Sequence, residues 1–425
     1  MPVPHVARLS IATLVLFTLV VVAAALLTSR KSAYGVAALI VAGPFDFAHA
    51  LGPTTVTLPK AVLVGVLAGL ALRRVSLAPL RAPQIRALLG GAVAIVAIDA
   101  LTFIPAEYID ATARETLKAG EYLAVFIAAM LAYAEDPDEA LLWNALAVVT
   151  ALVCVGALVQ EFTVAPSGLW LHGHPVPRIA GPLEGPNQLA GWLDLVTPVL
   201  AARVLVGRPS VVFAALATVA VTTDALTLSR SGAIGIVVGL ALVAAFTVRA
   251  GNARRLVPAA VLVAIPLVAV FFFANVAHYG SVADRFANAA ETDVDNGLAT
   301  RPQLWRAALR LWRSDPGLGI GAGNFELLTP SAGLIGVRTH ANSIYLQSLA
   351  EGGILLFAAV LWTFAAAIVT LLRAGRTPLL VGIAAATVGL AAHEIFDDLT
   401  FFPKVGELWW TLLGIAAALA STRRP

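Results

Sequence analysis

Apolar runs long enough to cross about 30 Å of hydrocarbon recur along the whole chain, and that recurrence leaves few choices of fold. They fall near 11–27, 34–50, 59–72, 85–104, 117–134, 140–160, 187–206, 211–228, 231–248, 256–277, 351–372, 379–396 and 405–421. A bilayer core offers the backbone no hydrogen-bonding partner, so each run must satisfy its amides and carbonyls internally, as a helix. Several of the thirteen runs are short or broken by Pro and Gly, Gly43-Pro44 among them, so twelve spans are as defensible as thirteen. Composition agrees, with 59% hydrophobic residues and 12% charged, against about 25% charged in soluble domains. The expected fold class is an all-α polytopic membrane protein of 12–13 transmembrane helices. The first run, Ile11 to Leu27, has no clear small-residue cleavage site and more spans follow it, so it reads as a retained helix. No repeat of the kind that marks inverted-repeat transporters is visible.

Orientation follows from the short basic loops. Arg73, Arg74, Arg81 and Arg86 share one connection, Arg203 and Arg208 another, Arg249, Arg254 and Arg255 a third, and Arg373 and Arg376 a fourth; Arg423 and Arg424 close the chain. All fall on one side under this span list, and the positive-inside rule makes that side cytoplasmic. The acidic run Glu135-Asp136-Pro137-Asp138-Glu139 lands there too, but acids weigh little in the rule. The expected organisation is a helix bundle over 1–277 with an external loop at 161–187, a large periplasmic loop over 278–350, and C-terminal transmembrane helices over 351–425. Within the large loop, Arg301 to Arg313 has amphipathic spacing: Leu304, Trp305, Ala308, Leu311 and Trp312 on one face, Arg306, Arg310 and Arg313 on the other. Such a helix either lies in the membrane interface or packs on the bundle.

The net charge of +3 is spread over short loops, which gives no footprint for nucleic acid. One cysteine, Cys154, sits in an apolar run, which excludes an internal disulfide and a cysteine metal cluster. Of seven histidines, His49, His172, His174, His278, His340 and His393 map to the outer face or outer helix ends, and His5 precedes the first span. His172 and His174 lack a third ligand at metal spacing, so no metal is expected. Arginine on the outer face is the stronger signal: Arg178 in the external loop, Arg230 at the head of a span, Arg301 at the head of the amphipathic helix, with Arg285 and Arg338 in the same large loop. Singly, each reads as a snorkelling interfacial residue; three or more converging on one cavity form an anion site, and the guanidinium fork suits diphosphate oxygens. The run Gly317-Leu318-Gly319-Ile320-Gly321-Ala322-Gly323 has no strand before it and no Lys-Ser/Thr after it, so it reads as a tight backbone turn and not a nucleotide loop. Asp46, Asp99, Asp194 and Asp224 read as helix caps and buried hydrogen bonds.

Four motifs in order resemble the O-antigen ligase and polymerase family. The segment from Arg178 through Gly181, Pro186, Asn187, Gln188 and Ala190 resembles its external loop, and Leu228-Ser229-Arg230-Ser231-Gly232 its second arginine motif. Arg301-Pro302-Gln303-Leu304-Trp305 with Asp315 to Phe325 resembles its large loop, and His340-Ala341-Asn342-Ser343-Ile344-Tyr345-Leu346-Gln347 followed by Glu351-Gly352-Gly353 closes the set. The resemblance implies a GT-C-type, metal-independent inverting glycosyltransferase in the bacterial inner membrane, its active site facing the periplasm, with no cofactor. Its donor would be an undecaprenyl-diphosphate-linked glycan and its acceptor lipid A-core or another glycan. By position, His340 would be the catalytic base and Arg178, Arg230 and Arg301 would bind the donor diphosphate, with Asn187, Arg338, Asn342, Tyr345 and Gln347 in support. The family's His-x-His-Asn pattern is here Arg338-Thr339-His340-Ala341-Asn342, leaving one histidine.

The residues agree with that chemistry: a lipid diphosphate needs a greasy groove in the outer leaflet, cations for the leaving group and a base for the sugar hydroxyl. Ligase is favoured over polymerase, with transfer to protein a third acceptor choice. A multispan solute or anion transporter is the rival of another class, and it requires a polar path from face to face. The orientation carries a direct test. Cysteines at Gly207 and Gly375 resist an impermeant thiol reagent in intact cells while cysteines placed within 285–335 label; the reverse pattern inverts the topology.

Overall fold

The computed structural model describes residues 7–8, 11–45, 49–51, 54–163, 167–171, 174–257, 259–261, 264, 268 and 297–422. The helices are α1 (Ile11–Arg30), α2 (Ser32–Ala42), α3 (Leu58–Arg73), α4 (Arg86–Leu101), α5 (Ile109–Glu135), α6 (Glu139–Thr163), α7 (Pro186–Leu205), α8 (Val211–Leu226) and α9 (Arg230–Arg249). After them come α10 (Gly297–Trp312), the single turn α11 (Phe325–Leu328), α12 (Ile344–Ala374), α13 (Pro378–His393) and α14 (Pro403–Ser421). Among the described residues seven helices are long and apolar enough to cross a membrane: α1, α4 with its lead-in from Pro83, α5, α6, α7, α9 and α12. Helices α2, α8 and α13 are apolar but shorter. The all-α polytopic class read from the sequence stands.

One expected span changes shape. The run 34–50 is an eleven-residue helix, because α2 ends at Ala42; Pro44 has no N–H to continue it. The chain then enters β2 (His49–Leu51), which pairs in parallel with β1 (Ala7–Arg8) and antiparallel with β3 (Thr54–Val56). The segment 161–187, expected as an external loop, holds a hairpin of β4 (Ser167–Leu171) and β5 (His174–Pro177). The span expected at 256–277 lies largely outside the described residues, as do His5, Asp46, His172, His278, Arg285, Arg423 and Arg424.

Helix α7 is the axis of the bundle. Leu189, Trp192, Leu193, Val196 and Val199 are fully buried, and α8, α9 and α13 pack around them. Helix α14 packs on α5, and α12 on α4, while α1 pairs with α3 at the rim. There Ile11, Leu14, Leu16 and Leu19 are exposed, as suits side chains whose solvent is lipid. Small residues let backbones approach where no hydrophobic gain separates helix from lipid. At the α9–α13 crossing a Cβ on Gly389 would meet the Gly235 carbonyl oxygen at 2.6 Å, and one on Gly235 would strike the Asp194 carboxylate. That carboxylate is engaged by His393 Nδ1 at 2.6 Å, both side chains fully buried. His393 is the last residue of α13, at the helix end away from the basic loops as expected, and there it is a buried partner of Asp194.

The basic loops meet at one end of the bundle. Arg73 pairs with Asp136 at 3.0 Å and Lys31 with Asp138 at 2.6 Å, so the acidic run 135–139 serves as the counter-charge of its own loops. Arg203 lies over the Trp143 and Phe213 rings, Arg255 donates to the Gly207 carbonyl at 2.6 Å, and Gly207 abuts Pro378. The amphipathic helix α10 packs on α12, burying Leu304, Ala308 and Leu311; of its two expected placements, the bundle wins.

Helix α12 is broken. Gly353 has φ 62° inside it, and the glycine run fills the break: Ile320 N–H donates to the Ala350 carbonyl and Gly321 N–H to that of Glu351, both at 3.0 Å, while Ile354 N–H donates to the Pro316 carbonyl. Gly319, Gly321 and Gly323 all have positive φ, a region that glycine enters without the Cβ clash. The packing predicts a contrast. G235V abolishes monodisperse protein in detergent, whereas G90A, with nothing within 4 Å of the new methyl, keeps its unfolding temperature or gains up to about 1 kcal/mol. Equal behaviour of the two variants would refute the crowding at Gly235.

Candidate functional site

At the end of the bundle away from the basic loops, three arginines from distant parts of the chain come together. Arg178 follows β5, Arg230 is the first residue of α9, and Arg301 lies in the first half of α10. The start of α9 is fixed by Ser229, whose Oγ accepts the Gly232 N–H at 3.2 Å, after Leu228 turns the chain with φ 53°. Arg178 Nε donates to the Thr227 carbonyl at 2.7 Å and Nη2 to Asn187 Oδ1 at 2.8 Å. Asn187, at the head of α7, in turn donates to Asp397 Oδ2 at 2.8 Å. Asp397 is buried, and so is Arg301, 9% exposed, with its Nε unpartnered.

These groups feel one another. Burial pushes the Arg178 guanidinium down to about 10, against the pull of Asp397 and reinforced by Arg230 and Arg301. Burial also lowers Arg301, with Asp397 opposing. The same burial raises the Asp397 carboxyl, with Arg301 the largest force holding it down. Clustered, partly desolvated guanidiniums of this kind are poised for an anion with several oxygens.

His340 occupies a neighbouring pocket. It is separated from the arginines by the turn between α13 and α14, which carries Asp397 on one side and Phe401 on the other. Glu394 holds that turn, accepting from Leu399 N–H at 2.9 Å and Thr400 N–H at 3.0 Å, and Ile344 N–H donates to the Asp397 carbonyl at 2.9 Å. Four residues reach at most about 14 Å, which bounds the separation of Asp397 and Phe401. His340 Nε2 lies 3.0 Å from Glu326 Oε1, its ring 3.9 Å from that of Phe401; Lys118 covers the Phe401 ring at 3.7 Å. Burial, with Lys118 adding, pushes His340 down to about 4, so the imidazole is neutral at ordinary pH. A cavity of about 100 Å³ opens beside it, lined by Glu115, Glu326, Arg338, His340, Glu351 and Phe401 among others.

The supporting residues divide. Gln347 accepts the Ala341 N–H at 2.8 Å and donates to Glu351 at 2.8 Å, holding the His340 loop. Asn342 has φ 50°, a backbone that Asn tolerates. Tyr345 donates to the Ala391 carbonyl at 2.9 Å, tying α12 to α13. His340 does not cap the helix after it, which begins at Ile344 behind Ser343. Glu326 is the residue the sequence hides: it sits on a single helical turn beyond the glycine run, and no periodicity links it to His340.

Residues 212–361 match the family model described as O-antigen ligase. Over that stretch the chain is similar to the O-antigen ligase family. No curated protein matches the chain. The O-antigen ligase stretch runs from α8 into α12 and contains Arg230, Arg301, Glu326 and His340; Arg178, Asn187 and Asp397 lie outside it and join it through the contacts above.

The cluster predicts its own fragility. Removing one partner from a buried charge network leaves the others uncompensated, so D397A lowers unfolding stability in detergent by on the order of 3–5 kcal/mol. N187A, which removes hydrogen bonds but no charge, loses about 1 kcal/mol per bond. An unchanged unfolding temperature in D397A would show that this carboxylate does not balance the guanidiniums.

Proposed function

We propose that the protein moves a glycan from undecaprenyl diphosphate to an acceptor sugar hydroxyl at the periplasmic face of the inner membrane, as a ligase whose acceptor is lipid A-core. The observation that carries the reading is the meeting of Arg178, Arg230 and Arg301, with Asp397 beside Arg178 and Arg301, at the end opposite the basic loops. By the positive-inside rule that end faces out, where a lipid-linked glycan is presented.

In this reading Arg178, Arg230 and Arg301 hold the diphosphate and neutralise the charge that develops on it as it leaves. The acceptor oxygen attacks the anomeric carbon, the bond from that carbon to the phosphate oxygen breaks with its electrons going to the diphosphate, and configuration inverts. The hydroxyl proton passes to His340, which is neutral and buried beside the cavity. The arginines supply the positive charge that a divalent ion brings elsewhere, and Asp397 is already committed to Asn187, so the reaction runs without metal. Asn187 and Gln347 hold the two halves of the site in place, and Arg338 borders the acceptor side. Polymerase and protein-transfer readings share this donor site and differ in the acceptor.

The test is transfer by purified protein in lipid, with undecaprenyl-diphosphate glycan, lipid A-core and excess EDTA. Turnover persists; R178K, R230K and R301K each fall more than about tenfold because the bidentate fork is lost; H340N falls about 10²–10⁴-fold. A base must be unprotonated to act, so the acid limb of the rate profile lies near pH 4, not near the unperturbed 6.5. Near-normal H340N turnover, or activity lost to chelation and restored by a divalent ion, overturns the proposal.

A further inference from the structure

Both nitrogens of His340 are accounted for in an informative way. Nε2 faces Glu326 Oε1 at 3.0 Å; Nδ1 is buried and has no hydrogen-bond partner. An ionised carboxylate can only accept, so the contact places the imidazole proton on Nε2 and leaves the Nδ1 lone pair unused. Which ring nitrogen is basic is set by what the other one touches.

The two residues are held by a common anchor. Glu351 Oε1 accepts the Phe325 N–H at 3.0 Å, fixing the backbone beside Glu326. The same oxygen accepts from Gln347 Nε2 at 2.8 Å, and Gln347 accepts the Ala341 N–H beside His340. Asn324 adds a second fixture, accepting the Tyr108 N–H at 2.7 Å and donating to Thr112 Oγ1 at 2.9 Å. Glu351 itself lies next to the break at Gly353, where the glycine run docks. Sequence-distant segments are thus tied to one carboxylate oxygen, and the result is a fixed distance between Glu326 and His340.

We infer that Glu326 is a positioning residue for His340: it holds the Nε2–H tautomer and aims Nδ1, not Nε2, at the acceptor hydroxyl. This rests on the reading of His340 as the base. The acceptor O–H proton goes to Nδ1 as the new glycosidic bond forms and the diphosphate departs; the imidazolium so made is stabilised by Glu326 through Nε2–H, and the proton then passes to water. Burial keeps the Nδ1 lone pair dry until a sugar enters beside Phe401. A carboxylate that merely braced the loop would influence stability but not the tautomer.

The experiment pairs kinetics with a direct view of the ring. In the reconstituted assay with undecaprenyl-diphosphate glycan and lipid A-core, E326Q keeps the shape but loses the charge and can donate to Nε2. Its kcat falls roughly tenfold or more, as when a histidine is held in the wrong tautomer, with KM for both substrates within about twofold; E326D recovers part of the loss. In ¹⁵N-histidine-labelled protein, the His340 signals, identified by their absence from H340N, show Nε2 protonated and Nδ1 bare in the wild type, and a changed tautomer balance in E326Q. Wild-type kcat in E326Q, or Nδ1 protonated in the wild type, overturns the inference. Normal turnover in H340N fails the underlying reading whatever E326Q does, whereas an inactive H340N beside a fully active E326Q fails this inference alone.

Discussion

One carboxylate makes the end of this bundle opposite the basic loops possible. Guanidiniums brought together and buried repel one another and lose hydration, and such a cluster persists only if something opposes it. Asp397 does so, with Asn187 and the Thr227 carbonyl taking up Arg178 donors. The position of Asp397 is set by the turn that Glu394 folds around itself and by the two bonds from Ile344 N–H to that turn. Elements from residue 178 to residue 402 therefore depend on the short connection between α13 and α14.

The same connection relates the two halves of the site. Asp397 belongs to the arginines and Phe401 to His340, and the few residues between them fix the spacing. The other wall is the broken helix α12. An unbroken helix would have kept the Gly321 N–H from the Glu351 carbonyl; with the break at Gly353, the glycine run enters the bundle and carries Phe325 and Glu326 to the His340 pocket. Helix continuity was given up at one residue, and a binding pocket was formed from the exposed backbone groups.

Much of this was legible in the sequence, and the rest was hidden for identifiable reasons. Hydropathy marked the helices because the bilayer imposes a length, and the charge of the loops marked the common end where Arg73, Arg203 and Arg255 lie. Arginines 178, 230 and 301 stood out because arginine near a bilayer is costly unless paired, snorkelling or facing a polar cavity, though singly each read as snorkelling. What failed depends on contacts and not on periodicity. The run 34–50 read as a span because Gly43-Pro44 is one interruption in an apolar stretch, and hydropathy averages over it. His393 was placed at a helix end, but its place along the chain does not reveal Asp194 across the interface. Glu326 gave no signal and Glu351 stood only as part of a motif, since their partners come from segments that only the glycine turn brings together.

On the proposed function, the division of the site between rigid and adjustable parts has a chemical logic. Stabilising a leaving group by fixed charges is effective only if those charges need not reorganise when the bond breaks, and Arg230 and Arg301 sit on helices while Arg178 is clamped at two of its nitrogens. The acceptor side faces a different demand, because the sugar hydroxyl must come close to a nitrogen that is otherwise kept from water. There the histidine sits on a loop, with aromatic rings from a turn lying against it, and its orientation is borrowed from Glu326 and not built into a helix. In that reading the donor diphosphate is the same for every glycan it carries, and the acceptor is the partner that can vary. Fixed charge on the constant partner, and a loop braced by replaceable neighbours on the variable one, is the arrangement under which acceptor choice can change without rebuilding the leaving-group site.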